Sequence, residues 1–443
     1  MGRPLFLAAA LLLLSSAAGA QVTLTPQNTT GIYKAGDKVQ WTLDLLLATP
    51  ATFTYNLRKN GVTSIKQGPL QFVDGITTLE TILEEPGAVF LDIRYPGGTP
   101  ATDTRAGRGA GDGDGGGRIM DGALVDPASL KPTLPCPDDF DDWWAHKIEQ
   151  LAAIPPNPQL EKADAGRPDV AYDKITLDTL EGHKIQGQIA RPAATGKYPA
   201  LLILQWAGVY ALGKGAVTGR AAGGWLAMNI EPHDCKIDGD QAYYQSLVNG
   251  ELRDYYHQGN DDREKSYFLR MYLSAYRAVE YLASRPDWDG KTLVLTGTSM
   301  GGQQALVLAG LNRKVTAVAV LVPSSCDATG PTIGRAAGFP DWAAQAQQKK
   351  DTKILETSRY FDPVNFASRI QCPALVSMGL YDETSPPVGV YCAFNQIQNA
   401  RKEALPLHSG HQDSNGSQRP FNTRADQWLA ALVKGEKVPP PNP

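Results

Sequence analysis

A single serine lies between glycines where a strand-like pattern gives way to a helix-like one. Residues 291–310 read KTLVLTGTSMGGQQALVLAG, and Ser299 is the middle residue of the pattern Gly297-x-Ser299-x-Gly301. In a nucleophile elbow the serine occupies a strained turn with backbone crowded on both sides, so its neighbours must be small. The apolar runs before and after it supply the strand–turn–helix context. The pattern therefore predicts a nucleophilic serine, with a structural turn as the alternative.

An activated serine needs a base and an orienting acid, which in this architecture follow it in the order Asp/Glu, then His. Asp382 comes after the apolar run ALVSMG, just past an expected strand end, and Glu383 beside it is the alternative. The segment EALPLHSGHQDS places His411 in a loop after a short apolar run, with His408 as the alternative base. The other histidines precede the serine, which disfavours them: His146, His183, His233 and His257.

The negative charge of a tetrahedral intermediate requires two backbone N–H donors. One is expected from Met300, directly after the serine, and the second from a loop after an earlier central strand. The run LLILQWAG supplies such a loop, so the second donor is the N–H of Trp206 or Ala207. The Trp206 ring is either a wall for a sugar ring or a core side chain.

These residues require a sheet that brings several strand ends together. From residue 137 to residue 437, apolar runs alternate with helical patterns: PALLILQWAG, SYFLRMYLSAYRAVEYLASRP, TLVLTG, VTAVAVLVP and CPALVSMGLYD. Strands interleaved with helices indicate a mostly parallel sheet with helices on both faces. In such a sheet, catalytic groups gather at the carboxyl ends of the strands. We therefore expect an α/β fold over residues 137–437.

The N-terminal part has a different pattern. Residues 21–102 alternate strand-like runs with turns, including the hairpin signal Asn60-Gly61, and predict a small all-β sandwich of roughly immunoglobulin size. Its role is either packing and spacing or carbohydrate binding. Residues 103–136 are rich in glycine and predict a flexible linker.

The first 20 residues, MGRPLFLAAALLLLSSAAGA, resemble a secretory signal peptide, with Gln21 as the first mature residue. A buried N-terminal helix or a membrane anchor is the alternative, but the apolar run is too short to span a bilayer. We expect a secreted or periplasmic protein without a membrane segment.

Charge and cysteine pattern exclude other classes of function. The formal net charge of −4 provides no basic surface for nucleic acid. The five cysteines include no CxxC pair, and the spacing of Asp112 and Asp114 lacks the further ligands of a calcium loop. We therefore expect no metal and no other cofactor. Disulfide connectivity and oligomeric state are left open.

Together, the segments from Asp138 to Trp428 resemble the acetyl xylan esterase and cephalosporin-C deacetylase family of α/β-hydrolases. The resemblance depends on PDDFDDWW, SYFLRMYLSAYRAVEYLASRPDWDGKTLVLTGTSMGG, VPSSCD, CPALVSMGLYDETSPPVGVYCAFN and SGHQ, which occur in family order. It implies a metal-independent enzyme that removes acetyl groups from xylan, xylo-oligosaccharides and small acetylated molecules. It also implies the following roles: Ser299 as nucleophile, Asp382 as acid, His411 as base, and the N–H groups of Met300 and Ala207 as oxyanion donors.

The sequence also departs from the family pattern. The usual Arg-Gly-Gln motif is absent after the strand in GGWLAMNIEPHDCKIDG, Gln205-Trp206 replaces a His-Gly pair, and Gln412 follows the base. We predict an exported serine esterase acting on acetylated carbohydrate or another small ester. The alternatives are a serine peptidase of the prolyl-oligopeptidase type, for which the N-terminal part is too short to form a propeller, and a non-catalytic glycan-binding protein.

Overall fold

The computed structural model describes residues 22–46, 52–96, 116–399 and 401–441. The expected signal peptide and residues 103–115 of the expected linker lie outside these ranges. The strands are β1 (Val22–Pro26), β2 (Ile32–Tyr33), β3 (Lys38–Leu45), β4 (Thr54–Lys59), β5 (Thr63–Pro69), β6 (Ile76–Ile82), β7 (Gly87–Pro96), β8 (Gly116–Val125), β9 (Gln159–Ala163), β10 (Val170–Asp178), β11 (Lys184–Pro192), β12 (Tyr198–Leu204), β13 (Leu226–Glu231), β14 (Trp288–Thr298), β15 (Ala317–Leu321), β16 (Ala374–Gly379) and β17 (Lys402–Leu407). The α-helices are α1 (Phe140–Ala152), α2 (Gly215–Ala222), α3 (Gln241–Asn249), α4 (Tyr267–Ser284), α5 (Met300–Leu311), α6 (Trp342–Lys349), α7 (Lys353–Ser358), α8 (Pro363–Ala367), α9 (Pro387–Gln396) and α10 (Arg419–Leu432).

The N-terminal strands form two facing sheets, a three-stranded one in the order β1-β3-β6 and a five-stranded one in the order β2-β8-β7-β4-β5. Alternate residues of β3, among them Trp41, are buried against alternate residues of β7, among them Leu91, in a single apolar cluster. Period-2 alternation of this kind directs one face of each sheet toward the other. This region is the small β-sandwich that the sequence predicts.

Strand β8 corrects the predicted linker. It pairs antiparallel with β7 along its whole length, from Gly87↔Val125 to Pro96↔Gly116, so residues 116–125 belong to the sandwich. The run GGRIMDGALV has no clean alternation because both of its faces are buried. Ala123 faces the sandwich core, and Leu124 faces the next domain. With apolar and small residues on both faces, the run resembles a continuation of the glycine-rich segment, and the linker prediction is wrong for residues 116–125.

The second domain contains a nine-stranded sheet in the order β17-β16-β15-β14-β12-β13-β11-β10-β9. Strands β12 to β17 run parallel, while β9, β10 and β11 pair antiparallel at the other end. The order inverts at β12 and β13, since β12 lies between β13 and β14. This is an α/β-hydrolase sheet, as expected from the sequence.

Helices cover both faces of this sheet. In β12, Leu202 belongs to an apolar cluster with side chains of α4, α5 and α9 on one face, whereas Leu201 belongs to a second cluster with side chains of α2 and α10 on the other. Buried side chains on both faces explain the continuous apolar run PALLIL. None of the helices in the described ranges combines the length and apolar character that crossing a membrane requires. The five cysteines are all unpaired thiols.

The sandwich packs directly on the α/β-hydrolase domain. Phe90 of β7 and Leu124 of β8 are fully buried in the same cluster as Leu380, which lies at the end of β16. Burying a side chain of this size stabilises the folded state by about 1.5–3 kcal/mol, whereas an exposed ion pair contributes only about 0–1 kcal/mol. Apolar packing therefore holds the two domains together, and the polar contacts between them fix their relative orientation.

Candidate active site

Ser299 occupies the turn between β14 and α5 with a backbone φ of 56° and ψ of −121°. A positive φ is costly for a serine, so the surrounding backbone must enforce it. The Ser299 N–H donates to the Leu321 carbonyl at 3.0 Å. A Cβ on Gly301 would lie 2.8 Å from the Leu204 carbonyl carbon, and one on Gly297 would lie 2.8 Å from the Gly302 nitrogen. Glycine is required at both positions because strand and helix approach so closely.

The structure brings Ser299, His411 and Asp382 into one hydrogen-bonded chain. Nδ1 of His411 lies 2.8 Å from Asp382 Oδ2, and Nε2 lies 2.9 Å from Ser299 Oγ. A carboxylate only accepts hydrogen bonds, so Nδ1 carries the proton and donates it, and Nε2 accepts from the serine hydroxyl. This is the arrangement that activates a hydroxyl nucleophile.

Asp382 is oriented by its own loop. The carboxyl group is fully buried, and its Oδ1 accepts from the N–H groups of Thr384 at 2.8 Å and Ser385 at 2.7 Å. With Oδ1 fixed in this way, Oδ2 points at the imidazole. On the other side, Gln418 Nε2 donates to the His411 carbonyl at 3.0 Å and holds the histidine loop.

The two expected oxyanion donors lie beside the serine turn. Met300 is the first residue of α5, so its N–H has no acceptor within the helix and lies at the positive end of the helix dipole. Ala207 follows β12 and packs in the same apolar cluster as the Met300 side chain. Gln304 Nε2 donates to the carbonyls of Gln205 at 3.3 Å and Met300 at 3.2 Å, which ties the β12 loop to α5.

Two side chains that the sequence did not single out for this role hold the residue after Ala207. His233 Nε2 donates to the Gly208 carbonyl at 2.8 Å, and the Gly208 N–H donates to the Tyr255 hydroxyl at 3.1 Å. The Tyr255 hydroxyl donates in turn to Met300 Sδ at 3.4 Å. Both polar backbone groups of Gly208 are therefore fixed. No sequence signal connects residues 25 and 47 positions apart, so only the fold reveals this clamp.

The surroundings of His233 keep it neutral. Burial lowers the pKa of His233 to about 4, and burial raises the pKa of Glu231 well above its usual range. The two side chains approach to 3.7 Å. The lowered pKa of His233 leaves its imidazole uncharged at neutral pH. Neutral His233 fits its contacts, because Nδ1 accepts from the Tyr267 hydroxyl at 2.7 Å while Nε2 donates.

Trp206 presents an exposed aromatic face on the loop after β12. Its side chain is 50% exposed, and its ring stacks on Tyr210 with centroids 5.5 Å apart and planes inclined by 26°. The Tyr210 hydroxyl lies 2.9 Å from Gln205 Oε1 and 3.0 Å from the Trp206 carbonyl, and its single proton is shared between these two acceptors. Trp206 is therefore a supported, solvent-facing ring rather than a core side chain.

The rival acid and base contact the β-sandwich instead of the serine. His408 is bonded through Nδ1 to Asp121 Oδ1 at 2.7 Å and through Nε2 to the Thr29 carbonyl at 3.0 Å. Glu383 accepts from Arg58 at 2.6 Å and from Arg118 at 3.1 Å. Neither side chain is available to Ser299.

Known esterases resemble this chain in sequence. The sequence profile of the acetyl xylan esterase family (AXE1) matches residues 119–431. The acetyl esterase Axe7A of Xylanibacter ruminicola is 33% identical over 288 residues, which are 63% of this chain and 64% of that protein. The chain thus matches slightly less than two thirds of the length of this relative.

Solved structures share the fold. The crystal structure of acetyl xylan esterase 1 from Thermoanaerobacterium sp. JW/SL YS485 aligns with a TM-score of 0.57 at 21% identity, covering 69% of this chain and 97% of that one. The acetyl xylan esterase from Paenibacillus sp. R4 aligns with a TM-score of 0.58 at 23% identity, covering 69% and 98%. The profile match spans well over half of the sequence, and the chain therefore belongs to the acetyl xylan esterase family.

Proposed function

We propose that this chain is an exported serine carboxylic-ester hydrolase that removes acetyl groups from a polysaccharide or its oligosaccharides. The observation that carries the proposal is the hydrogen-bonded chain from Asp382 through His411 to Ser299 at the N-terminus of α5. Membership of the acetyl xylan esterase family supports the acetyl group as the acyl part. Export is inferred from the signal-like residues 1–20.

The proposed mechanism starts from the protonation of His411, whose Nδ1 donates to Asp382 and whose Nε2 accepts from Ser299. His411 Nε2 takes the Ser299 proton as Oγ attacks the acetyl carbonyl, and a tetrahedral oxyanion forms. The N–H groups of Met300 and Ala207 stabilise that charge. His411 then returns the proton to the departing sugar oxygen, leaving an acetyl-enzyme and a free hydroxyl group on the sugar. A water molecule, deprotonated by His411, attacks the acetyl-enzyme and releases acetate. Asp382 stabilises the imidazolium in both half-reactions.

Trp206 is the proposed platform for the sugar that carries the acetyl group. An exposed, stacked aromatic ring on the loop that also carries Ala207 offers a flat apolar surface to a pyranose ring. We expect Trp206→Ala to raise KM for an acetylated oligosaccharide about tenfold while leaving hydrolysis of a small aryl acetate within about twofold. Equal losses on both substrates would contradict a sugar-specific role.

Acetate release tests the function itself. The wild-type protein is expected to release acetate from at least one member of a panel of acetylated xylan, mannan, pectin and small acetylated sugars. Ser299→Ala should reduce that rate by about 10⁴-fold or more with an unchanged circular dichroism spectrum. Wild-type turnover in the variant would overturn the mechanism. Cleavage of peptides but not of acetyl esters would indicate a serine peptidase. A failure of Ser299 to react with a fluorophosphonate would favour a non-catalytic glycan-binding protein.

A further inference from the structure

The β-sandwich contacts the loop after β17. Asp121 of β8 is buried and uses both carboxyl oxygens. Its Oδ2 accepts from Trp41 Nε1 at 2.9 Å in the sandwich core, and its Oδ1 bonds His408 Nδ1 at 2.7 Å. The Thr29 carbonyl holds the other ring nitrogen of His408. His408 precedes His411 by three residues, so the sandwich fixes the start of the histidine loop.

The side of the five-stranded sheet that faces the α/β-hydrolase domain contacts the loop after β16. Glu383, next to Asp382, accepts from Arg58 of β4 and Arg118 of β8. Arg118 is itself fixed by Asp92 at 2.7 Å. Burial alone would raise the pKa of Glu383, but the hydrogen bonds and charges of Arg118 and Arg58 lower it, so the carboxylate is ionised at neutral pH. The start of the acid loop is thus held by a two-arginine clamp from the sandwich.

The acid and histidine loops are also bonded to each other. The Leu380 N–H donates to the Leu407 carbonyl at 2.8 Å, and the Tyr381 N–H donates to the Ser409 carbonyl at 3.3 Å. A displacement of one loop therefore moves the other. Gly122 of β8 lies against the peptide after Leu380: a Cβ there would overlap the Leu380 carbonyl and lie 3.2 Å from the Tyr381 nitrogen.

We propose that the β-sandwich is a positioning element for the acid and the base, with Gly122, Asp121 and the Arg58–Arg118 clamp setting the place of both loops. The inference rests on the proposed roles of Asp382 and His411. It gives the N-terminal region a part in the reaction that neither a spacer nor a carbohydrate-binding module would have. These side chains act through Asp382 and His411 and need no contact with substrate.

Gly122→Ala is the direct test, with Gly68→Ala as its matched control. Both glycines lie in strands of the five-stranded sheet, but among the described residues a Cβ on Gly68 would meet only the Tyr55 ring, at an ordinary 3.8 Å. We expect Gly122→Ala to lower kcat for a small acetyl ester about tenfold or more with KM within about twofold, because small misplacements of catalytic groups are costly. The rate at which a fluorophosphonate labels Ser299 should fall in parallel. Gly68→Ala should match the wild type in both measurements.

Charge reversal provides a second test should Gly122→Ala fail to fold. Glu383→Arg places a cation against Arg58 and Arg118, whereas Glu80→Arg disrupts the Lys38–Glu80 pair on the far sheet of the sandwich. Only the first is expected to lower kcat and the labelling rate, each by about tenfold. A folded Gly122→Ala or Glu383→Arg variant with wild-type kcat and labelling rate would overturn the positioning role. Absence of labelling in the wild-type protein would instead overturn the triad itself, so the two failures are distinguishable.

Discussion

The turn that carries Ser299 contacts only elements of the α/β-hydrolase domain among its described contacts, whereas the loops that carry Asp382 and His411 also contact the β-sandwich. Around Ser299, the crowding comes from β12, α5 and the end of β15, all in the α/β-hydrolase sheet. Around Asp382 and His411, the contacts include β4 and β8 of the sandwich. Ser299 is therefore held by the backbone of its own domain, whereas Asp382 and His411 lie in loops that also contact the sandwich.

This difference predicts how the Ser299 turn and the Asp382 and His411 loops respond to substitution. A strained turn enclosed by backbone has no way to relax, so a single added methyl group should disturb it. Loops held by packing, hydrogen bonds and ion pairs across an interface have several redundant contacts, and the loss of one should be partly absorbed. The following variants break or sharpen this comparison.

Asp382→Asn and Asp121→Asn make the same chemical change at two buried carboxylates that each bond a histidine. Asp382→Asn should lower kcat by about 10⁴-fold, because the amide leaves His411 in the wrong tautomer. Asp121→Asn should lower it by no more than about tenfold, since His408 only positions a loop. Comparable losses in steady-state kinetics would mean that Asp121 does more than position the histidine loop.

Gly301→Ala tests the enclosed turn. Alanine favours a helix over glycine, yet its Cβ would lie 2.8 Å from the Leu204 carbonyl carbon, so we expect kcat to fall about 100-fold. Gly219→Ala in α2 is the matched helical control, because no described residue lies within 4 Å of its Cβ position. The control should keep wild-type kcat and Tm. A fully active Gly301→Ala enzyme would show that backbone crowding does not determine the position of Ser299.

Tyr255→Phe tests the clamp on Gly208. Loss of the hydroxyl removes the acceptor for the Gly208 N–H and the contact with Met300, so the Ala207 donor is less well fixed. We expect kcat to fall about tenfold with little change in KM, less than the loss of a whole oxyanion donor. Tyr198→Phe, at the other end of β12, removes a hydroxyl that bonds only the Ala194 carbonyl among its described contacts and should leave kcat unchanged. A rise in KM alone would place Tyr255 in substrate binding instead.

His408→Gln tests the interface through pH. The hydrogen bond to Asp121 raises the pKa of His408, although burial opposes this. A raised folded-state pKa stabilises the fold below the unfolded value of about 6.5, and that stabilisation is lost as pH rises through the folded value. We expect His408→Gln to lower Tm by about 2–4 °C at pH 6 and by less at pH 9. His146→Gln, on the exposed face of α1, should show no such trend. A pH-independent difference would mean that the charge of His408 does not contribute.

The same contrast explains what the sequence predicted. The serine turn is contiguous in the chain, so its glycines, apolar runs and helical pattern together predict the nucleophile elbow. The choice of Asp382 and His411 followed from chain order and strand ends, and the structure brings both to Ser299. Their catalytic roles remain predictions until the variants above are measured.

The interface between the two domains could not be predicted from the sequence because its partners are far apart in the chain. Arg118 and Glu383 are separated by 265 residues, and Asp121 and His408 by 287. Strand β8 was mistaken for linker because contact with two cores removes the alternation that identifies a strand at a surface. Glu383 and His408 were noticed only as rivals for the acid and the base, although the structure places them in the contacts that hold those loops.

Strands β7 and β8 have one further consequence, because each contributes alternate side chains to two apolar cores. Val89 and Leu91 belong to the sandwich, while Ala88 and Phe90 belong to the hydrolase domain. Opening the sandwich would therefore expose the interior of its neighbour, and the two folds form a single cooperative unit. Amide hydrogens in β7 and β8 should exchange only when the whole protein unfolds, and the two domains should melt in one transition.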